Sequence, residues 1–400
     1  MKSILFVTKD LGSGGAEKSL VSLLSQLDYE KYSVDLLRLG EGDFFLQSIP
    51  DEVNLINIPF ETNHLICKPA KESVSILFKK KKYFSLITEI IGHGTLKIVS
   101  NLTGYNSKLL KWRIVSPFIR KVNKEYDVAI AYNYDYPIHF IIDKVNSKKK
   151  IGWIHGNYNL TRSNPFFDKI YFSKLDNLVT VSKICKDILD AVFPIYSRKI
   201  SVIENIISPQ TINNLAVNCN YNEKILKDHF VIITVARLSN EKGIDLAIEA
   251  ANILARKGLE FKWLIVGEGL ERIKLEELIK RYDLIDKFIL LGENSNPYPL
   301  IKRADLYVQP SLTEGKSIAI EEAKALGKPI VVTKYSTVTD QIKNMKNGLI
   351  VPIDPVAISN GIKRLMDSPK LRNEFKKELL TNTIGNESEI NKLYTMMNNK

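Results

Sequence analysis

The chain has 400 residues with a net charge of +12, and its 44% hydrophobic and 26% charged residues form an ordinary globular composition with enough material for two separately cored domains. No stretch approaches the roughly 20 uncharged apolar residues that span a bilayer, and Met1-Lys2 runs straight into the strand-like Ser3–Thr8, so neither a membrane span nor a signal peptide is expected. Cys67, Cys185 and Cys219 are odd in number, far apart and without metal-ligand spacing, which fits a reduced cytosol and no structural zinc.

The apolar run Ile4–Val7 is followed by Leu11-Gly12-Ser13-Gly14-Gly15 and then by residues 16–24 at helical spacing, a strand, loop and helix in succession. Gly14 and Gly15 would let the backbone approach a phosphate or sugar, although a tight turn alone explains a short glycine run equally well. The loop lacks the full GxGxxG spacing of a dinucleotide site, which disfavours a plain dehydrogenase. Further strands are expected at 33–39, 54–58, 128–132, 150–154, 177–181 and 200–203, several of them separated by helix-length segments. Such alternation favours a parallel sheet.

Between the second and third of these runs the charge is concentrated. Residues 68–124 hold thirteen Lys/Arg against Glu72 and Glu89, a net +11. Phe78-Lys79-Lys80-Lys81-Lys82-Tyr83-Phe84 and Lys108-Leu109-Leu110-Lys111-Trp112-Arg113 interleave cations with apolar side chains, which suits an anionic lipid surface. A solvated basic face is the plainer alternative, and nucleic acid would also suit the pattern. His155 ends the strand at 150–154 just before Gly156 and is the one histidine placed to reach a cleft; His64, His93, His139 and His229 have no comparable setting.

The polar, Asn-rich segment 204–228 marks a linker. A second α/β unit then starts with the strand 230–235, a helix near 243–257 and the strand 262–266, and continues with strands at 287–291, 306–308 and 329–332 and helices near 298–303 and 318–326. Arg237 and Lys242 lie five positions apart on the loop after its first strand, where two cations would converge on a leaving diphosphate. On spacing alone, incidental charges on a solvated loop are the slightly better explanation. Glu314 and Glu322 lie eight apart, the first in a loop and the second two turns into a helix. Backbone N–H groups of Lys316 and Ser317 would face a diphosphate or a sugar hydroxyl. Glu321 points about 100° away from Glu322 on an ideal helix and is expected at the surface.

In this order, Gly14-Gly15-Ala16-Glu17, Trp153-Ile154-His155, Val181-Ser182, Asn205, Arg237-Leu238 through Lys242-Gly243, Val266-Gly267-Glu268-Gly269, Leu291-Gly292 and Glu314-Gly315 through Glu322-Ala323 resemble family 4 of the glycosyltransferases. The specific part lies in the second half. The resemblance implies an α/β protein of the GT-B type, two Rossmann-like doubly wound domains facing across a cleft, with retention of anomeric configuration. It places an acceptor-binding domain at 1–207, a nucleotide-sugar-binding domain at 208–375, and a C-terminal helix at 376–400 that returns to the first domain. By resemblance, Arg237 and Lys242 would neutralise the donor diphosphate and Glu322 would hold the ribose hydroxyls. Glu314 would contact the transferred sugar, helped by backbone N–H groups of Lys316 and Ser317, with Ile318 also at the donor. Gly14, Gly15 and Asn205 would meet the donor, Gly267 and Asn294 would lie at the base, and His155 would bond the sugar from the opposite domain.

No metal and no cofactor are expected; the donor, a UDP-sugar by first choice, is a substrate. Two departures stand out, Lys316 where the family commonly has an aromatic or small residue and Asn205-Ile206 in place of Asn-Gly. Residues 335–343 and 347–351 are similar to members that build bacterial surface polysaccharides. The expected function is sugar transfer onto a glycan or lipid-linked acceptor by a cytoplasmic enzyme held peripherally at the inner membrane face through 68–124, without nucleic-acid binding. The competing readings are a nucleotide-sugar epimerase of the same shape and a non-catalytic membrane- or nucleic-acid-binding scaffold.

Overall fold

The computed structural model describes residues 1–58, 63, 66, 70–103, 108–160, 164–217, 229–382 and 385–398. Cys67, Cys219, His64, Lys68 and the linker residues 218–228 lie outside them. The chain divides into two compact units, Met1–Asn205 with Ser388–Lys400, and Ile206–Glu387.

The first unit holds a seven-stranded sheet: β1 (Lys2–Thr8), β2 (Tyr32–Arg38), β3 (Val53–Asn57), β4 (Glu125–Ala131), β5 (Asn146–Ile154), β6 (Asn177–Thr180) and β7 (Ile200–Val202), in the order β3-β2-β1-β4-β5-β6-β7. The second holds six strands: β8 (Phe230–Val235), β9 (Phe261–Val266), β10 (Phe288–Gly292), β11 (Leu306–Gln309), β12 (Ile330–Thr333) and β13 (Leu349–Val351), in the order β10-β9-β8-β11-β12-β13. Every strand pairing in both sheets is parallel. These are the two Rossmann-like doubly wound units of the GT-B type.

A parallel sheet is covered on both faces, so its strands are continuous apolar runs. In the second unit Ile232, Trp263 and Ile265 pack with the helix Ile244–Arg256 on one face, whereas Val231, Ile233, Leu264 and Val266 pack with Tyr298, Leu300 and Ile320 on the other. Trp263 is fully buried without an orphaned N–H because Nε1 donates to Thr234 Oγ1 at 3.1 Å.

The chain returns to the first unit later than the expected 376. The helix Pro369–Asn382 stays with the second unit, where Phe375 and Leu379 are buried. The helix Ile390–Asn398 docks on the first: Tyr394 stacks on Tyr32 at 5.2 Å, and its hydroxyl accepts from the Asp28 N–H at 2.8 Å.

The basic segment forms three helices, Ala70–Lys79, Tyr83–Thr103 and Lys108–Val115. Lys111 is withdrawn from the basic surface that its sequence neighbours suggested. Its ammonium is buried 3.1 Å from the buried Glu89 carboxylate. Lys79 to Lys82 are exposed, and among the described residues no helix is long and apolar enough to cross a membrane.

Candidate active site

Strand order reverses between β8 and β11, with β9 and β10 beyond one and β12 and β13 beyond the other. Loops leaving the carboxyl ends of two such strands diverge and open a crevice. The loop after β8 carries Arg237 and Lys242; the loop after β11 carries Glu314.

Two contacts stitch these loops together. Gly243 adopts φ +62°, and a Cβ there would lie 2.2 Å from the Pro310 carbonyl oxygen, so a glycine is required for the loops to touch. Leu312 N–H donates to the Glu241 carbonyl at 2.9 Å. Within this frame Lys242 Nζ donates to both Glu314 carboxylate oxygens at 2.8 Å each. Glu314 Oε1 also accepts from Ser311 Oγ at 2.8 Å and Gln309 Nε2 at 3.2 Å. Thr333, at the end of β12, donates to the Ser311 carbonyl at 2.5 Å and so fixes the floor beneath.

The carboxylate expected at the sugar and the lysine expected at the diphosphate thus form one ion pair. Arg237 is different. Its side chain is 56% exposed and, among the described residues, pairs with Glu241 at a distant 3.5 Å, which contributes little to the fold.

Glu322 sits inside the helix Ile318–Ala325, 2% exposed, and Oε1 accepts from the Tyr298 hydroxyl at 2.8 Å. Burial and the Glu322 charge raise the Tyr298 pKa, keeping the phenol protonated as a donor. A carboxylate oxygen has two lone pairs, so this bond does not exhaust its accepting capacity.

Ser317 does not present its N–H as expected. That N–H donates to Gln341 Oε1 at 2.8 Å, and Ser317 Oγ caps the helix by accepting from the Ile320 N–H at 3.4 Å. The peptide group is consumed inside the protein because a buried N–H must be paired, and the nearby amide pairs it. Ile318 is buried at the helix start. Lys316 is half-buried. Gly267, at φ +146°, packs on the β8 loop so closely that a Cβ would lie 2.0 Å from the Ala236 carbonyl oxygen. Asn294 is exposed, and its Oδ1 is used by its own turn, accepting from the Asn296 N–H at 2.9 Å.

In the first unit the strand order reverses between β1 and β4. Gly14 takes an extended conformation and the helix Gly15–Leu24 begins directly after it, placing first-turn N–H groups beyond the carboxyl end of β1. Asn205 is buried, and its Oδ1 accepts from Ser19 Oγ at 2.8 Å; Ser19 lies also 2.8 Å from the Tyr132 hydroxyl. This network anchors that helix.

His155 follows β5, its ring stacked on Trp153 at 5.9 Å and tilted against Tyr132 at 4.7 Å. Its Nε2 lies 2.8 Å from the Tyr132 carbonyl. A carbonyl can only accept, so Nε2 carries the proton and Nδ1 of the neutral ring is an acceptor. Burial lowers the pKa to about 4, which keeps the ring neutral near pH 7 and unsuited to donate a proton from Nδ1.

Residues 221–379, nearly the whole second unit, match the family described as Glycosyl transferases group 1. The second unit belongs to this family. The chain is 26% identical over 373 residues to N-acetylgalactosamine-N,N'-diacetylbacillosaminyl-diphospho-undecaprenol 4-alpha-N-acetylgalactosaminyltransferase of Campylobacter jejuni, covering 93% of this chain and 92% of that one. It is 32% identical over 150 residues to the alpha-D-kanosaminyltransferase of Streptomyces kanamyceticus, covering 37% and 39%. Among solved structures it is similar to the HepE protein of Anabaena in complex with UDP and glucose, with TM-score 0.69 and 15% identity over 100% of each chain.

Arg237, Lys242, Glu314 and Glu322 were each singled out by the sequence. Tyr298, Gln309, Ser311, Thr337 and Gln341 were not. Gln309 and Ser311 precede Glu314 by five and three positions on the same strand end, and that proximity is the one signal that would have found them. Tyr298, Thr337 and Gln341 reach the site only through tertiary contact.

Proposed function

We propose that this glycosyltransferase moves a hexose from a UDP-sugar to a glycan or lipid-linked acceptor with retention of configuration, without a metal, in bacterial cell-surface polysaccharide synthesis. The observation that carries the reading is the Lys242–Glu314 pair at the β8/β11 crevice, with Arg237 exposed beside it on the β8 loop. Glu314, held by Lys242, Ser311 and Gln309, accepts hydroxyl hydrogens of the transferred sugar. Arg237 and Lys242 balance the charge that grows on the diphosphate as the glycosidic bond breaks. Glu322 accepts from the ribose hydroxyls. Gly14 and Gly15 admit the donor close to the backbone, and His155 Nδ1 accepts from a sugar hydroxyl. Gly267 and the neighbourhood of Asn294 line the base. The acceptor oxygen bonds to the anomeric carbon on the face the diphosphate leaves, and its proton passes to a leaving phosphate oxygen.

UDP is favoured as the nucleotide because the similar Anabaena structure holds UDP and glucose, and a lipid-linked acceptor because the Campylobacter relative is named for an undecaprenol-linked one. The test is nucleotide release from a panel of nucleotide-sugars with membrane-extracted acceptor, with and without EDTA, followed by proton NMR of the product linkage. The expected result is release from UDP-sugars alone, unaffected by EDTA, with the donor's anomeric configuration kept. EDTA-sensitive release, or an inverted linkage, contradicts the mechanism.

We place the enzyme at the cytoplasmic face of the membrane. Along the helix Tyr83–Thr103, Ile87, Ile91, Ile98 and Leu102 are all more than half exposed, at spacings that share one helix face. Lys79 to Lys82 are exposed at its start. An apolar stripe beside a cluster of cations suits insertion among anionic headgroups. Replacing Lys79 to Lys82 with alanine is expected to weaken binding to phosphatidylglycerol vesicles on the order of a thousandfold at low salt, with less effect at high salt. Unchanged flotation of the variant with such vesicles would contradict the placement.

A further inference from the structure

The turn after β12 touches both ends of the Glu314 loop. Thr337 Oγ1 donates to the Glu314 carbonyl at 2.8 Å. Gln341 grips the other end with its whole amide, accepting from the Ser317 N–H and donating to the Ser317 carbonyl, each at 2.8 Å. The Gln341 amide nitrogen also donates to Glu321 Oε1 at 2.8 Å. Thr337 is 1% and Gln341 4% exposed, so water competes poorly for these bonds.

We infer that Thr337 and Gln341 are positioning residues that hold the backbone of the Glu314–Ser317 loop in the geometry the donor sugar requires. The inference rests on the proposal that Glu314 meets that sugar. The division of labour is visible in the contacts: Lys242, Ser311 and Gln309 fix the Glu314 carboxylate, whereas the turn fixes its peptide backbone. Only two residues, Gly315 and Lys316, lie between the clamped ends. A four-residue loop held at both ends by three hydrogen bonds cannot shift without breaking one of them. Glutamine is needed at 341 because the site asks one group to accept from an N–H and donate to both a carbonyl and a carboxylate. Glutamate, of the same size, only accepts when ionised and would stand against Glu321 and the Ser317 carbonyl. The loop's geometry matters to catalysis because displacements of about 1 Å at a reacting centre can cost on the order of a hundredfold in rate.

The test compares T337V, T337S, Q341E and Q341A with the wild type by steady-state kinetics, melting temperature and UDP calorimetry. T337V and Q341E are expected to lower kcat by about ten- to a hundredfold, with UDP affinity within about threefold of wild type because UDP lacks the sugar that the loop addresses. T337S, which keeps the hydroxyl, is expected to restore kcat. Folded T337V and Q341A with kcat within twofold of wild type would overturn the inference. So would a Q341E defect that appears equally in UDP affinity and kcat, because the turn would then serve general folding of the unit. Absence of UDP binding by the wild type would instead remove the donor reading on which the inference stands.

Discussion

Arg237→Ala is expected to lower kcat by about 10² to 10³ and to leave the melting temperature unchanged. The magnitude is that of removing one preorganised charge-stabilising donor from a developing anion. The absence of a stability effect follows from the 56% exposure of the side chain and its 3.5 Å separation from Glu241. Lys242→Ala behaves otherwise. It is expected to lower kcat comparably but also removes the cation from a Glu314 carboxylate whose side chain is only 9% exposed, and breaking a buried pair by deleting one partner costs about 3 kcal/mol or more. Adding Glu314→Gln to Lys242→Ala neutralises the stranded carboxylate, so stability recovers while turnover does not. Turnover and thermal unfolding of the three variants check this. An unchanged kcat in Arg237→Ala removes its leaving-group role, and an unaltered melting temperature in Lys242→Ala would mean that the pair contributes nothing to the fold.

Glu322→Ala is expected to weaken nucleotide affinity by about ten- to a hundredfold, the range expected for hydrogen bonds to a charged acceptor. The same substitution removes the acceptor to which the Tyr298 hydroxyl donates at 2.8 Å, and so carries a stability cost of its own of about 1 kcal/mol. Glu322→Gln separates the two effects. It keeps an acceptor for Tyr298 and the volume of the side chain but loses the charge that strengthens bonds from the ribose hydroxyls. Glu322→Gln is therefore expected to melt near wild type and still bind nucleotide more weakly. Equal nucleotide affinity in Gln and wild type would assign Glu322 to packing alone.

The sheets were legible because parallel strands buried on both faces write themselves as apolar runs: the strand expected at 230–235 occupies those residues, and that expected at 177–181 differs by one. The three helices of 70–115 were hidden. Their apolar residues partly face outward, as Ile87 and Leu102 do, and periodicity there competes with a charge run. Lys111 illustrates the limit of reading charge without partners, because Glu89, twenty-two positions earlier, takes it into the interior.

Arg237, Lys242, Glu314 and Glu322 stood out in the sequence since each follows a strand within a short loop or its helix. Their mutual arrangement could not be. The pairing of Lys242 with Glu314 spans 72 positions. The capture of the Ser317 N–H by Gln341 spans 24, and neither has a local signal. Free N–H groups at a helix start are a sound expectation from local structure, and a single tertiary contact suffices to remove one.

The measurement that bears most directly on the donor site is calorimetric titration of wild-type protein and Glu322→Ala with UDP, GDP and ADP, without added metal. The account predicts that UDP binds the wild type in preference to the others and that Glu322→Ala loses most of that affinity. Failure of every nucleotide to bind the folded wild type, or equal binding by the variant, would contradict it.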